Sequence, residues 1–150
     1  MSTAPGAPPV LRSAHVARPL EETFTVFTRQ IGAWWPLPTH GVFGDLSGGI
    51  SFENGRLVER AVDGRVSVWG EVLAWEPPHR LVYLWHLRFD RSDATEVEVT
   101  FTSAGDGTAV TIEHRGWERL GERGRAKRDG NERGWGGLLP HFQAAASSDS

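Results

Sequence analysis

From Ile50 to His114 the sequence is a succession of short period-two runs, each closed by a turn signal. Ile50 and Phe52 alternate with Ser51 and Glu53 before Asn54-Gly55, and residues 56–61 lead to Asp63-Gly64. Asn-Gly and Asp-Gly are the pairs a tight hairpin demands, because its two central residues take positive φ. Residues 66–75 run up to Pro77-Pro78, where the missing N–H groups end a strand. Residues 80–89 and 95–102 follow, and in the second Val97, Val99 and Phe101 oppose Glu96, Glu98 and Thr100. Gly105-Asp106-Gly107 turns the chain into residues 108–114, where Val110, Ile112 and His114 share a face. Such alternation predicts an antiparallel sheet with one buried and one wet face. Its apolar side needs a cover.

The flanks supply one. Residues 11–17 read as a first strand, stopped at Arg18-Pro19, and Pro suits the first turn of a helix. Leu20, Phe24, Phe27 and Ile31 then form an amphipathic stripe that Gly32 ends, with Glu21 and Glu22 in the dipole-favoured first turn. Residues 34–49 read as a long loop or short helix containing His40, Phe43 and Asp45. After Gly116 the strand signals stop. Residues 117–127 are charged and helix-compatible, and Asn131 reads as the N-cap of a last helix reaching about Ala146. Trp135, Leu138, Leu139 and Phe142 make its apolar stripe. Gly134, Gly136, Gly137 and Pro140 are poor helix formers, at ~1 kcal/mol per Gly and ~3 for Pro, so packing must hold it and a kink near Pro140 is expected. The plan is α+β, about six strands and a terminal helix. Residues 11–146 read as a single domain between disordered tails at 1–10 and 147–150, since a chain of 150 residues is domain-sized.

Composition closes several routes. The absence of Cys removes disulfides, thiol nucleophiles and Cys-ligated metals. A net charge of −3 offers no global field for nucleic acid. The excess of Arg between residues 115 and 133 is interleaved with Glu and Asp, which reads as a solvated helix face. No apolar run approaches the ~20 residues of a membrane span, and the opening MSTAPGAPPV lacks the basic and apolar regions of a signal peptide. The expectation is a cytoplasmic protein with no membrane insertion and no nucleic-acid partner. The six His make no metal-ligand spacing, so neither a metal nor a cofactor is expected. No nucleophile elbow and no phosphate-binding glycine loop is present. With no recognisable catalytic set, an enzyme is the weaker reading.

Seven Trp against one Tyr is the compositional outlier. Each Trp reads first as core and second as wall of an apolar pocket. The candidate ligand-binding residues are Trp34, Trp35, His40, Phe52, Glu59, Trp69, Trp85, His114, Trp135 and Phe142. Trp135 and Phe142 are seven residues apart, two helical turns, and so face the same way. Trp34 and Trp35 precede the loop expected at the mouth. His40 reads as a gate residue or as solvent-exposed. His114 reads as a core imidazole satisfied by backbone or Trp N–H, ahead of a ligand contact. Glu59, sharing a face with Leu57, is either solvated or a polar anchor, and Glu71 carries the same ambiguity. Trp69 and Trp85 lie on strands apolar on both sides, so parity does not assign them a face. Trp117 is expected outside the cavity.

Several stretches, in this order, resemble a known family. They are Gly48-Gly49 entering a strand, Trp69-Gly70-Glu71-Val72, and the run from Pro77 to Trp85. Then come residues 95–101, the run from Gly107 to Trp117, and Gly134-Trp135 with Leu138-Leu139. Together they resemble the helix-grip, START-like or SRPBCC superfamily, and within it the branch of activator of heat-shock-chaperone ATPase homologues, over residues 12–145. The resemblance implies a curved antiparallel sheet of about six to seven strands wrapped around a long C-terminal helix, with a cavity between them. It implies binding of a small hydrophobic or aromatic molecule there. The alternatives are a cyclase- or hydrolase-like enzyme using the same cavity, or a co-chaperone-like module with a protein partner.

Overall fold

A computed structural model of the chain describes residues 8–86 and 93–147. Seven strands are present: β1 (Val10–Val16), β2 (Ser47–Glu53), β3 (Arg56–Ala61), β4 (Val66–Glu76), β5 (Arg80–Trp85), β6 (Thr95–Ala104) and β7 (Gly107–Arg115). They form one sheet in the order β1-β7-β6-β5-β4-β3-β2, and every neighbouring pair is antiparallel. The Asn54-Gly55 hairpin takes positive φ at both residues, 51° and 76°, as its sequence requires. The strand expected over residues 80–89 ends at Trp85, and its remainder from residue 87 lies outside the described residues. Of the expected tails, residues 1–7 and 148–150 lie outside them too. Val10 is already buried in β1. Arg128, on the last helix, donates to the Pro8 and Pro9 carbonyls.

The register shifts between Leu57 and Val58 and between Val72 and Ala74. Bulges of this kind bend strands and increase twist, so the sheet curls. Gly70 sits at the bend, where an added Cβ would stand 1.7 Å from the Leu84 carbonyl oxygen.

The concave side is filled by helices. The expected helix through Ile31 is divided: α1 (Leu20–Phe27) stops where Thr28 returns its hydroxyl to the Phe24 carbonyl, and Ile31 opens α2 (Ile31–Trp34). A further turn, α3 (Leu37–His40), follows. The residues after Gly116 form a 3₁₀ stretch, Trp117–Arg123, leading directly into α4 (Gly124–Ala146). Thus α4 starts seven residues before the expected cap at Asn131. Asn131 lies inside it, and its side-chain amide donates to the Lys127 carbonyl. The helix continues through Pro140 without interruption. Burial of Trp135, Leu138, Leu139 and Phe142 offsets its poor intrinsic propensity.

The core lies between sheet and helices. Phe27 packs edge-on against Phe101 of β6 and Phe142 of α4, with ring centroids at 5.8 and 5.2 Å. Phe24 meets Phe101 at 5.1 Å. This is the helix-grip architecture, and it leaves its cavity near one end of the sheet.

Candidate functional site

Three indoles converge where α3, the end of β5 and the N-terminal half of α4 meet. Trp35, Trp85 and Trp135, with Leu138, wall a pocket of about 220 Å³. Thr39, His40 and Asn131 add polar groups to its lining, and Gly130 and Gly134 keep the helix side low. Trp35 is held by its N–H, which donates to the His40 carbonyl at 3.0 Å. That bond ties α3 to the pocket wall. His40 Nδ1 and the Thr39 hydroxyl are 2.8 Å apart.

Behind Trp135 stands a closed polar chain. Trp135 Nε1–H donates to His114 Nδ1 at 3.1 Å. An indole only donates, so Nδ1 is the acceptor and the neutral imidazole carries its proton on Nε2. Nε2–H then donates to Thr95 Oγ1 at 2.7 Å, and the Thr95 hydroxyl donates to the Trp85 carbonyl at 3.3 Å. Trp117 lies tilted against the imidazole, with ring centroids 4.3 Å apart, and donates its N–H to the His114 carbonyl. Burial, by penalising the charged form, pushes His114 down to about 3. At neutral pH it is a hydrogen-bonding brace for the wall.

Glu59, fully buried on β3, braces the other side. Its carboxylate accepts from the backbone N–H of Val42 at 2.7 Å and of Phe43 at 3.4 Å. These are the residues just after α3, so a carboxylate inside the sheet holds the segment that brings Thr39 and His40 to the pocket.

The model of the family described as Activator of Hsp90 ATPase homolog 1-like protein matches residues 17–147. The chain belongs to this family. Among solved structures it resembles the anthrahydroquino-gamma-pyrone synthase Txn09 complexed with SUM, at 31% identity and a TM-score of 0.61, over 95% of this chain and 99% of that one. It also resembles the self-sacrificing resistance protein CalC from Micromonospora echinospora, at 25% identity, TM-score 0.63, covering 95% and 98%. Protein MLL2253 from Mesorhizobium loti shares the fold at 22% identity and TM-score 0.64, covering 91% and 95%. Compared with curated proteins, the sequence has no significant match.

In this AHSA1-like protein the candidate residues separate into groups. Trp35, His40, Trp85 and Trp135 come together on the pocket. Trp69 lies one layer deeper, fully buried between Trp35 and Trp85 at 5.4 and 5.8 Å. Trp34 and Phe142 do not line the pocket: they pack on each other at 5.4 Å and on Phe27, as core. Its seven-residue spacing from Trp135 puts Phe142 on the same stripe, but Phe27 from α1 packs against Phe142 and fills the space opposite it. Phe52 lies away from this pocket, against Trp75 and Tyr83. Trp117 is outside the lining, yet buried as the outer face of the His114 brace. Glu71 takes His86 Nε2 at 2.7 Å, also outside the lining. Asn131 and Gly134 read in the sequence only as helix features, and Thr39 and Gly130 carry no signal of their own there; the structure places all four on the lining. Spacing of Gly130 and Gly134 four apart on a helix was the available signal, and it reads equally as a weak helix.

No helix is long and apolar enough to cross a membrane among the described residues. Nor do three or more His, Asp or Glu side chains gather there as a metal site.

Proposed function

We propose that this protein binds a small apolar, preferably aromatic, molecule in the pocket walled by Trp35, Trp85 and Trp135. The carrying observation is the convergence of three indoles, from three separate elements, on one cavity of about 220 Å³. Binding sites are mostly apolar, with a few placed polar groups, and Thr39, His40 and Asn131 fit that pattern. Since a dry cavity of ~150 Å³ takes benzene, this one suits a fused bicyclic skeleton. The likeness to Txn09, named for an anthrahydroquino-pyrone product, supports the aromatic end of that range.

The test is intrinsic Trp fluorescence titrated with fatty acids, sterols and polyketide-like aromatics. A saturable change with micromolar affinity for an aromatic member is expected. Gly134→Leu fills the pocket, because nothing lies within 4 Å of a Cβ added there. Gly137→Leu is the matched control, equally open but outside the lining. Both replace a helical Gly and raise helix propensity, so unfolding does not explain a loss of binding in the first alone. Absence of saturable binding by every class would overturn the proposal.

Txn09 is a synthase, which favours one second reading: chemistry on the bound molecule. His40 is then the acid–base group, being the ionisable side chain of the lining. A turnover assay comparing wild type with His40→Gln decides it, since binding alone survives that change.

A further inference from the structure

The stripe of α4 that faces the pocket contains one polar residue. Asn131, Trp135 and Leu138 stand at i, i+4 and i+7, so they share a face of the helix, and all three line the cavity. Trp135 and Leu138 are buried walls, and Asn131 is half-buried one turn before Trp135. Its amide has two ends of opposite sense. Nδ2 donates to the Lys127 carbonyl at 2.9 Å, and since a carbonyl only accepts, that bond assigns the nitrogen. Oδ1 is the end left over. It is an acceptor on an apolar stripe, with no partner among the described residues.

His40, which lines the same pocket from α3, has the same sense. Thr39 Oγ1 lies 2.8 Å from His40 Nδ1 and 3.3 Å from the Pro36 carbonyl. Both bonds form together only if Nδ1–H donates to the hydroxyl and the hydroxyl donates to Pro36, which leaves Nε2 as a bare lone pair. The indole N–H groups of Trp35 and Trp135 are already engaged, by the His40 carbonyl and by His114. Among the wall indoles Trp85 alone keeps an N–H with no acceptor among the described residues. Free acceptors thus outnumber free donors. No carboxylate among the described residues lies in the lining to balance a cation.

We propose that Asn131 makes the pocket selective for a hydroxylated arene, its Oδ1 accepting the hydrogen bond of a phenol-type hydroxyl. This rests on the pocket reading above and narrows it. A flat hydrocarbon seated on the indoles strips water from Oδ1 and returns no bond. An ether or ketone is an acceptor only, and meets a lone pair with a lone pair. An ammonium has the right sense but carries a charge that the lining does not match. A neutral hydroxyl donates in the plane of its ring and leaves the ring faces to the indoles.

The probes are 2-naphthol and 2-methoxynaphthalene, one bicyclic skeleton with and without the donor. The ether is the more apolar, so burial alone favours it. Calorimetric titration of wild type is expected to give at least about fivefold tighter binding of 2-naphthol, within what one neutral hydrogen bond supplies. The side-chain carbonyl carbon of Asn131 should move downfield with the naphthol and not with the ether. Asn131→Leu keeps the side-chain volume and raises helix propensity, so it should fold, which its melting temperature checks. In that variant the preference should vanish, with affinity for the ether equal to wild type or above it. Gly137→Leu, on the same helix but outside the lining, should retain the preference. A preference that persists in Asn131→Leu overturns the role of Asn131. Equal affinities for the two compounds in wild type, with no carbon shift, overturn the selectivity and leave the pocket standing. Failure of both compounds to bind overturns the pocket reading and this inference with it.

Discussion

The indole N–H of Trp135 donates to His114 Nδ1 over 3.1 Å, joining a pocket wall on α4 to the last strand of the sheet. The bond defines the imidazole's tautomer, and the tautomer defines the rest of the chain through Thr95 to the Trp85 carbonyl. Two walls of the pocket, Trp135 and Trp85, are thus connected through one buried, neutral histidine.

Acid should weaken the protein through that residue. His114 is near 6.5 in the unfolded chain and about 3 when folded. Between these values the unfolded state binds the extra proton, so unfolding becomes easier as pH falls from 6.5 toward 3 and stability rises with pH across the same window. The limiting slope is about 1.4 kcal/mol per pH unit. Chemical denaturation of wild type and His114→Phe between pH 5 and 6.5 measures it. The variant should be less stable at neutral pH, with the Trp135 N–H left unpaired and Thr95 keeping only its bond to the Trp85 carbonyl, and its stability should change less across that interval.

Removing the Glu59 carboxylate should loosen the segment after α3. Glu59→Leu leaves the Val42 and Phe43 N–H groups without their acceptor. Both bonds are part-buried, so each donor so stranded costs less than the ~1–3 kcal/mol of a fully buried one. Limited proteolysis is expected to cut faster near Val42, and amide exchange there to accelerate, before exchange in β6 and β7 changes. Uniform acceleration over the whole sheet would contradict an anchoring role confined to this segment.

Phe27→Ala should cost ~3–5 kcal/mol. The ring is fully buried and touches Trp34, Phe101 and Phe142, so three elements lose a common partner. Thermal or urea unfolding reads this directly. An unchanged midpoint would remove α1 from the core.

Gly70→Ala should be poorly tolerated although Ala suits a strand no worse than Gly. Its Cβ would collide with the Leu84 carbonyl, forcing β4 away from β5. A loss of about 3 kcal/mol or failure to accumulate folded protein is expected, at the upper end of overpacking costs. Gly137→Ala, open on all sides, is the control and should stabilise.

Much of the fold was legible residue by residue. The turn pairs Asn54-Gly55 and Asp63-Gly64 delimit β2, β3 and β4, because the positive φ taken by Asn54, Gly55 and Gly64 is a local property of those residues. Val97, Val99 and Phe101 face inward as their alternation with Glu96, Glu98 and Thr100 requires. The start of α4 was not legible. Gly124 enters the helix where an added Cβ would stand 2.3 Å from the Trp117 carbonyl oxygen, a packing contact that no local propensity announces.

The site divides in the same way. The sequence alone determined that Trp135 lies on the apolar stripe of the terminal helix and that Trp35 precedes a loop. Only the tertiary structure decided that these two meet Trp85 across a cavity while Phe142, two turns along the same stripe, meets Phe27 and fills solid core. Two bulges in β4, at Trp69 and at Leu73, break the parity that would have assigned Trp69 its face. β5 keeps its register but carries Val82 and Leu84 on the face opposite Leu81, Tyr83 and Trp85, so alternation alone did not mark its inner side. Periodicity records which way a side chain points from its own backbone. A cavity is space left over after several distant elements have contributed their volumes, and that difference exists only once the chain has brought them together.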